Sequence, residues 1–419
     1  MVARLQTKPA LINLLFMLRS TSIRSAAILA ASLLTLLATA CHRSDMPDFP
    51  TGYREFAYVT NGSGNTVAVF DLVNRRQDRV IGVGHQPTGT AANPLFNEVY
   101  AVNTNPSGEG SVSVIDAEHN SVIATIPVRR LPYFIDVDSA GRRGYVANSG
   151  SNNISVLDLR GHRELAVIGA GEQPGLARIA PDMRSLVVTN RGSGSVSVYS
   201  VDNFTDEHPL HLRAVFPGCT GATDAVILPD SSKAYIACSG SNKLMAISLA
   251  AAPDSWAAKQ DPAALTDRLL TLLDVGVTPV QLALKPDGGE LFVSNYGSDS
   301  VSEVSTWTNE VSGTYMIGAR PVYGVVSADN SILWVANFGA DTISEYAIDD
   351  GKLINVIRVG SEPTALALSA EGHLLLAADA RSGDISVIRP QQRNGPGLFD
   401  LWPSGAEPRA ICIKSFTTH

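Results

Sequence analysis

Ionisable and aromatic polar side chains recur at one kind of place in this chain, beside a proline (or its equivalent) that opens an apolar segment. They are His85, Arg129, Arg130, Tyr133, Glu172, Arg320, Glu362, Glu407 and Arg409. Guanidinium, phenol and carboxylate groups bind polar ligands, and imidazole with carboxylates can exchange protons or hold a metal. We interpret these residues as candidate ligand-binding residues. The alternative is a solvated rim of mixed charge.

An opposite-charge pair occupies a position that is otherwise small or apolar. Asp136 and Arg178 each lie four residues after the proline of successive segments, where other segments have Ala91, Val325 or Cys412. A buried charge is costly unless a partner compensates it. We therefore predict a structural ion pair between neighbouring segments, with ligand binding as the alternative.

Two cysteines lie at the two ends of one predicted hairpin. Antiparallel pairing would bring Cys219 and Cys238 to the same edge, so they form a candidate disulfide in an oxidising compartment. The chain has no G-x-S-x-G, H-E-x-x-H, phosphate-loop or C-x-x-C-H pattern. We therefore predict no catalytic residue, no metal site and no cofactor.

A repeat must position these side chains. An aromatic or aliphatic run that usually ends in Asn occurs eight times. The runs end at Asn61, Asn103, Asn148, Asn190, Cys238, Asn295, Asn337 and Asp379. The step from Asn61 to Asn103 is 103 − 61 = 42 residues, and a period in the forties with short strands and glycine turns is typical of β-propellers.

The repeat predicts an all-β fold, an eight-bladed β-propeller of four-stranded antiparallel blades. The first copy, from Phe56 to Gly84, supplies only three strands, and the missing strand follows at the end of the chain as residues 407–413. Pairing of this C-terminal strand with the N-terminal strands would close the ring and remove two open edges. Residues 251–270 have the composition of a short inserted helix, and the Asn that ends each run should bond its own turn.

The run Tyr58-Val59-Thr60-Asn61, with Val-Gly-x-x-Pro ending each copy, resembles the YVTN-family repeat of bacterial surface-layer and YncE-like proteins. The resemblance extends from Phe56 to Lys414. More distantly, the chain is similar to the eight-bladed haem d1 domain of cytochrome cd1 nitrite reductases. The YVTN resemblance implies an extracytoplasmic, non-enzymatic protein.

The N-terminus resembles a bacterial lipoprotein signal. Basic residues precede an apolar segment too short to span a bilayer, and Leu37-Ala38-Thr39-Ala40-Cys41 resembles a lipobox. We predict a signal peptide at 1–40, a lipid on Cys41, a tether at 41–55 and the propeller at 56–416. Secretion without a lipid is the alternative.

The charge balance excludes one class of partner. Removal of residues 1–40 leaves 28 basic and 40 acidic residues, so the net charge is 28 − 40 = −12. An acidic body repels phosphate backbones, which argues against nucleic-acid binding.

These features predict an exported, lipid-anchored and monomeric scaffold at the outer membrane or facing the periplasm. It would bind a protein, peptide or glycan through the loops that enter the first strands. The alternative is an enzyme at the channel mouth, either a lactonase-like hydrolase or a haem d1-type oxidoreductase. That alternative needs His85, Glu172, Glu362 and Glu407 to converge on one point.

Overall fold

The computed structural model describes residues 48–202, 207–390 and 397–418. The chain from Phe49 onward forms one compact unit, in which eight four-stranded antiparallel sheets are described. The predicted eight-bladed propeller is therefore confirmed. The predicted signal peptide, the lipidation site Cys41 and the first part of the tether lie outside the described residues.

The first four blades contain sixteen strands. Blade 1 consists of β32 (Pro408–Thr417), β1 (Tyr53–Asn61), β2 (Thr66–Asp71) and β3 (Arg76–Gly82). Blade 2 consists of β4 (Pro87–Ala92), β5 (Glu98–Asn103), β6 (Glu109–Asp116) and β7 (Ser121–Arg130). Blade 3 consists of β8 (Pro132–Val137), β9 (Arg143–Asn148), β10 (Asn153–Asp158) and β11 (Arg163–Gly169). Blade 4 consists of β12 (Pro174–Ile179), β13 (Ser185–Asn190), β14 (Ser195–Val201) and β15 (Leu210–Pro217).

The remaining blades repeat the same order. Blade 5 consists of β16 (Ala222–Ile227), β17 (Lys233–Cys238), β18 (Lys243–Ser248) and β19 (Arg268–Asp274). Blade 6 consists of β20 (Pro279–Leu284), β21 (Glu290–Asn295), β22 (Ser300–Ser305) and β23 (Glu310–Met316). Blade 7 consists of β24 (Pro321–Val326), β25 (Ile332–Asn337), β26 (Thr342–Ala347) and β27 (Lys352–Arg358). Blade 8 consists of β28 (Pro363–Leu368), β29 (Leu375–Asp379), β30 (Asp384–Arg389) and β31 (Gly397–Pro403).

The C-terminal strand closes the ring as predicted. β32 pairs antiparallel with β1, with Ala57 opposite Ile413 and Thr60 opposite Ala410. Both strands are longer than the repeat suggested, because β1 already begins at Tyr53 and β32 continues to Thr417. Closure pairs β1 on both edges, with β2 and with β32, which stabilises the ring against strand exchange.

The core lies between the blades. The second strands are almost wholly buried because both faces of each sheet pack against a neighbour, and Tyr58, Tyr100, Tyr145 and Tyr235 are fully buried. Burial of a large apolar side chain contributes roughly 1.5–3 kcal/mol. The Tyr58 hydroxyl also donates a hydrogen bond to Asn120 Oδ1 at 2.5 Å, so the packed aromatic ring keeps its polar atom satisfied.

In six blades an Asn ends the second strand and can join it to the third. In blade 7, Asn337 Nδ2 donates to Thr342 Oγ1 at 3.2 Å and to Ser344 Oγ at 2.8 Å. This differs from the predicted bond to its own turn, because the fully buried amide points along the sheet to hydroxyl groups on the next strand. In blade 8 an aspartate, Asp379, takes this place.

The insertion in blade 5 contains a short helix, α1 (Trp256–Gln260), followed by a 3₁₀ turn (Pro262–Leu265). Ser255 caps α1, since its side chain accepts a hydrogen bond from the Ala258 N–H. The helix is shorter than predicted because residues from Arg268 onward pair as β19. None of the described helices is long and apolar enough to cross a bilayer.

Candidate functional site

The first strands of the blades line a central cavity of about 400 Å³. All eight first strands contribute to its wall, namely β4, β8, β12, β16, β20, β24, β28 and β32. A β-bulge occurs at or just after the residue that opens each of these strands. Bulges redirect side chains, so several polar residues reach the cavity from positions near the strand starts.

Arg178 lies in the cavity wall between two carboxylates. Its Nη1 is 3.9 Å from Asp136 Oδ1, and its Nη2 is 3.5 Å from Asp224 Oδ1. Its Nε donates to the Ala225 carbonyl at 3.2 Å, and the guanidinium lies 4.6 Å from the centre of the Phe134 ring. These contacts hold the cation in place without saturating all five of its N–H donors.

Each carboxylate of this cluster also bridges two blades. Asp136 Oδ2 accepts a hydrogen bond from the Ile179 N–H at 2.9 Å. Asp224 Oδ2 accepts one from the Leu282 N–H at 3.0 Å, and its Oδ1 accepts one from the N–H of Ala225 at 2.8 Å. The main chain therefore fixes the orientation of both carboxylates.

Burial changes the acid–base chemistry of the cluster. It raises the pKa of Asp136 and the pKa of Asp224 above the ordinary aspartate value, although Arg178 and the main-chain N–H groups oppose the change. For Arg178, burial alone lowers the pKa, but the two carboxylates outweigh it and the pKa is raised. The arrangement thus provides a permanent cation beside a carboxylate that is more basic than usual.

Three threonines occupy equivalent places around the cavity. Thr88, Thr223 and Thr364 each follow the residue that opens a first strand, and each hydroxyl lies within hydrogen-bond distance of a main-chain carbonyl of the next first strand, at 2.8, 3.2 and 3.3 Å respectively. The hydroxyl groups of Thr223 and Thr364 also lie 3.4 and 3.2 Å from a carbonyl of their own blade. A hydroxyl has one proton and two acceptor lone pairs. Because the proton is donated to one of these carbonyls, the hydroxyl groups are left mainly as acceptors.

Tyr323 and Gln281 complete the polar part of the wall. Gln281 is held by main-chain bonds, since its Oε1 accepts from the Gly324 N–H at 2.7 Å and its Nε2 donates to the Leu282 carbonyl at 2.9 Å. Burial raises the pKa of Tyr323, so its phenol stays protonated and can donate.

Of the nine residues predicted at the channel mouth, Tyr133 and Arg409 line the cavity. Glu407 lies behind Arg409, whose Nη2 is 2.6 Å and Nε 3.2 Å from Glu407 Oε1. The Ser63 hydroxyl donates to the other oxygen of Glu407. These bonds, that of Ser63 foremost, lower the pKa of Glu407 and keep it ionised.

The other six predicted residues lie on the rim outside the cavity wall described here. His85, Arg130, Glu172 and Arg320 are exposed, and Arg320 lies over the Tyr296 ring at 5.7 Å.

Two of these six residues form ion pairs. Arg129 Nη2 is 2.7 Å from Glu164 and its Nη1 is 3.7 Å from Glu109, while Glu362 is 3.6 Å from Arg381. Within the described ranges, no group of three His, Cys, Asp or Glu residues could hold a metal. His85, Glu172, Glu362 and Glu407 are therefore not brought to one point in the described structure.

Five residues of the cavity wall were not predicted from the sequence, namely Asp224, Thr88, Thr223, Gln281 and Tyr323. Asp224 lies two residues after the start of its strand, whereas Asp136 and Arg178 lie four residues after theirs. The only signal in the sequence was the presence of polar residues within otherwise apolar first strands. Side chains of a regular strand alternate between its two faces, but the bulge at each strand start interrupts this alternation, so the sequence does not show which polar side chains face the cavity.

Cys219 and Cys238 are joined by a disulfide, with their Cα atoms 4.7 Å apart. It connects the loop that enters β16 to the end of β17 in the same blade. Cys412 is a free thiol, 3.2 Å from Thr90 Oγ1, and burial raises the pKa of this thiol to about 12. The protonated thiol is a poor nucleophile.

The family model described as "Lactonase, 7-bladed beta-propeller" matches residues 56–310 and 324–403, most of the described fold. The chain belongs to this lactonase family. This member has eight blades in its described residues, one more than the name of the family model states. No significant match to a curated protein sequence was found.

Solved propellers are similar to this lactonase-family protein in fold. A candidate 6-phosphogluconolactonase from Bacteroides fragilis has a TM-score of 0.58 at 14% identity, covering 88% of this chain and 100% of the other. The periplasmic gluconolactonase PpgL from Pseudomonas aeruginosa has 0.56 at 18%, covering 86% and 98%. The dihydro-haem d1 dehydrogenase NirN has 0.68 at 14%, covering 88% and 77%. At these identities the likeness establishes the fold alone.

The family membership corrects our interpretation of this chain as a non-enzymatic scaffold. The YVTN-type run is a property of the blade and indicated the fold, but it carried no information on activity. The match favours the alternative, a propeller enzyme with a site at the channel. The polar cluster that a site requires lies inside the channel and contains Asp136 and Arg178, which were predicted as a structural ion pair, whereas the predicted ligand-binding residues lie mainly on the rim.

Proposed function

We propose that this chain hydrolyses a small cyclic ester in the central cavity, with Asp224 as general base and Arg178 as the group that stabilises the oxyanion. The observation that carries the proposal is a buried guanidinium held between two carboxylates in the wall of a cavity, in a chain of the lactonase family.

The cluster has the groups that ester hydrolysis requires. Asp224 would take a proton from a water molecule, whose oxygen then bonds to the ester carbonyl carbon. Arg178 would stabilise the negative charge that develops on the carbonyl oxygen, where a fixed donor is most effective. The carbon–oxygen bond of the ring then breaks, and the leaving oxygen takes the proton from the protonated Asp224, which returns to its starting form. Water is consumed, and the product is a hydroxy acid.

The raised pKa of Asp224 supports its role as the base. A general base is most effective when its pKa approaches the working pH. Burial raises the pKa of Asp224, while Arg178 and the N–H groups of Leu282 and Ala225 limit the increase. The carboxylate is therefore more basic than a solvated aspartate.

The cavity suits a small ligand on a rigid frame. Its volume of about 400 Å³ is at the lower end of the range for small-molecule sites, roughly 300–1,000 Å³. The reacting groups lie on strands that are paired on one side and packed between blades. A site on such elements keeps its geometry better than one on loops.

We further propose that the protein is exported and held at a membrane by a lipid on Cys41. The Cys219–Cys238 disulfide supports an oxidising compartment, since such bonds persist mainly outside the cytosol.

The experiment is a lactonase assay on the purified full chain with a panel of δ- and γ-lactones. We expect turnover above the buffer rate, and we expect Asp224→Asn to lower kcat about 100-fold or more. Arg178→Lys should lower kcat through loss of the planar guanidinium. Asp274→Asn is the matched control, because Asp274 belongs to the same blade but is exposed on its outer strand.

Thermal unfolding of each variant shows whether the fold is retained. The proposal fails if no lactone in the panel is hydrolysed faster than in buffer. It also fails if a folded Asp224→Asn variant keeps the wild-type kcat.

A further inference from the structure

The charges of the cavity wall restrict the ligand that it can take. Arg178, Asp224 and Arg409 are the charged residues of the described wall. Both cations are already neutralised by carboxylates of the protein, which disfavours the binding of anionic ligands.

At the mouth, Glu407 neutralises Arg409. The two side chains share a two-point contact, with Arg409 Nη2 at 2.6 Å and Nε at 3.2 Å from the same Glu407 oxygen. Ser63 holds the second oxygen of Glu407. The Nε–Nη2 edge of the guanidinium is therefore bound to a carboxylate that is itself fixed.

Deeper in the cavity, Arg178 is outnumbered by carboxylates. Asp136 and Asp224 lie 3.9 and 3.5 Å from its terminal nitrogens, so the cluster has a net charge of −1 when both are ionised. A phosphate monoester carries nearly two negative charges at neutral pH. Its approach would be opposed by the carboxylates and favoured by only one cation.

The neutral part of the wall matches a ligand that donates hydrogen bonds. The hydroxyl protons of Thr88, Thr223 and Thr364 are donated to main-chain carbonyls, so these groups offer acceptor lone pairs to a ligand. A phosphate has only acceptors on its ionised oxygens and gains nothing from such groups. Ring hydroxyl groups are donors and can use them.

We propose that the cavity binds an uncharged, polyhydroxylated cyclic ester and that Glu407, by occupying Arg409, excludes the phosphorylated counterpart. This inference rests on the proposed function and names its substrate class. Glu407 is a specificity residue, because it acts on the ligand through Arg409.

The test measures binding, which separates it from turnover. Glucose and glucose 6-phosphate, whose rings are stable in water, serve as probes in isothermal calorimetry with the full chain. We expect wild type to bind glucose and to bind glucose 6-phosphate at least tenfold more weakly. In Glu407→Gln, Arg409 becomes available for a charge-assisted bond, so the affinity for glucose 6-phosphate relative to glucose should rise about tenfold or more.

Glu362→Gln is the matched control. Glu362 has the same place in the adjacent blade, directly before the proline that opens β28, and has the same left-handed backbone (φ 58° against 61° for Glu407). It pairs with Arg381, outside the cavity wall. This variant should keep the wild-type affinity ratio.

Three results would overturn the inference: glucose 6-phosphate binds wild type as tightly as glucose, neither probe binds, or Glu362→Gln shifts the ratio as far as Glu407→Gln. The lactonase assay on the same proteins reports on the proposed function separately. If the protein prefers glucose but hydrolyses no lactone, only the proposed hydrolase function is refuted. If the protein hydrolyses phosphorylated lactones faster than uncharged ones, only the proposed exclusion of phosphorylated ligands is refuted.

Discussion

Blade 8 contains a buried carboxyl group where six other blades have an amide. Asp379 is fully buried, and its Oδ2 accepts from Ser386 Oγ at 2.7 Å and from the Ser386 N–H at 3.1 Å. Its Oδ1 has no hydrogen-bond partner among the described residues. Burial, together with the nearby Asp384, raises the pKa of Asp379 to about 8, against Ser386, which lowers it.

This shift makes stability depend on pH. The folded-state pKa lies above the unfolded value of 3.8, so the stabilising contribution is complete below pH 3.8 and is lost as the pH rises toward 8. One pKa unit corresponds to about 1.4 kcal/mol. Roughly three units separate 3.8 from pH 7, so at this pH up to about 4 kcal/mol of folding free energy is lost.

Asp379→Asn removes this loss. The new amide could donate to Ser386 and to Asp384, as Asn337 does to the residues five and seven positions later in blade 7. We expect a gain of about 1–3 kcal/mol at pH 8, which corresponds to a rise in Tm of roughly 1–4 °C. At pH 4.5 the gain in Tm should be much smaller than at pH 8, because Asp379 is still protonated in the folded state and pH 4.5 lies less than one unit above the unfolded pKa of 3.8.

Thermal unfolding followed by circular dichroism from pH 4 to 9 tests this expectation. Other titrating groups cancel, since both proteins contain them. Asn337→Asp is the matched control and should destabilise the protein, increasingly as the pH rises. A gain in Tm that is the same at pH 4.5 and pH 8 would refute the reasoning, because the effect could not then come from ionisation of Asp379.

Two further predictions concern the covalent and topological closures. Cys219→Ser should lower the free energy of unfolding by about 3 kcal/mol, because the disulfide closes a loop with a sequence separation of 19 residues. Cys412→Ser is the control, and equal Tm values for wild type and Cys219→Ser would contradict this prediction. Ile411 lies opposite Val59 in the pair of strands that closes the ring, so Ile411→Pro should open the ring and cause aggregation, detected by size-exclusion chromatography. Thr417→Pro, at the end of the same strand, is the control and should not aggregate. A monomeric Ile411→Pro variant with unchanged Tm would contradict the prediction.

The repeat made most of the fold predictable. Each copy has its own turn residues and short apolar strands, so local sequence determines the strand boundaries. The number of copies gave the number of blades, and the strand missing from the first copy identified its partner at the end of the chain. The inserted helix was predicted at the correct place but too long, because Arg268–Asp274 pair with β18 and form a strand.

The candidate site was predictable only in part. Asp136 and Arg178 were conspicuous because they replace small residues at one repeat position. Asp224 was not, since a polar residue near the start of a strand is ordinary in a single sequence. Of the rim residues, Tyr133 and Arg409 turned out to line the cavity, while His85 and Glu172 are exposed away from it.

By itself, the sequence determined the blade, the number of blades and the way the ring closes, because these depend on contacts within a copy or between neighbouring copies. Only the tertiary structure decided which polar side chains meet. Arg178 and Asp224 come from first strands of different blades, and they come together because the ring brings those strands to one axis and bulges turn their side chains inward. The repeat period does not show which side chains of the first strands point toward that axis, and the chemistry of the cavity depends on those side chains.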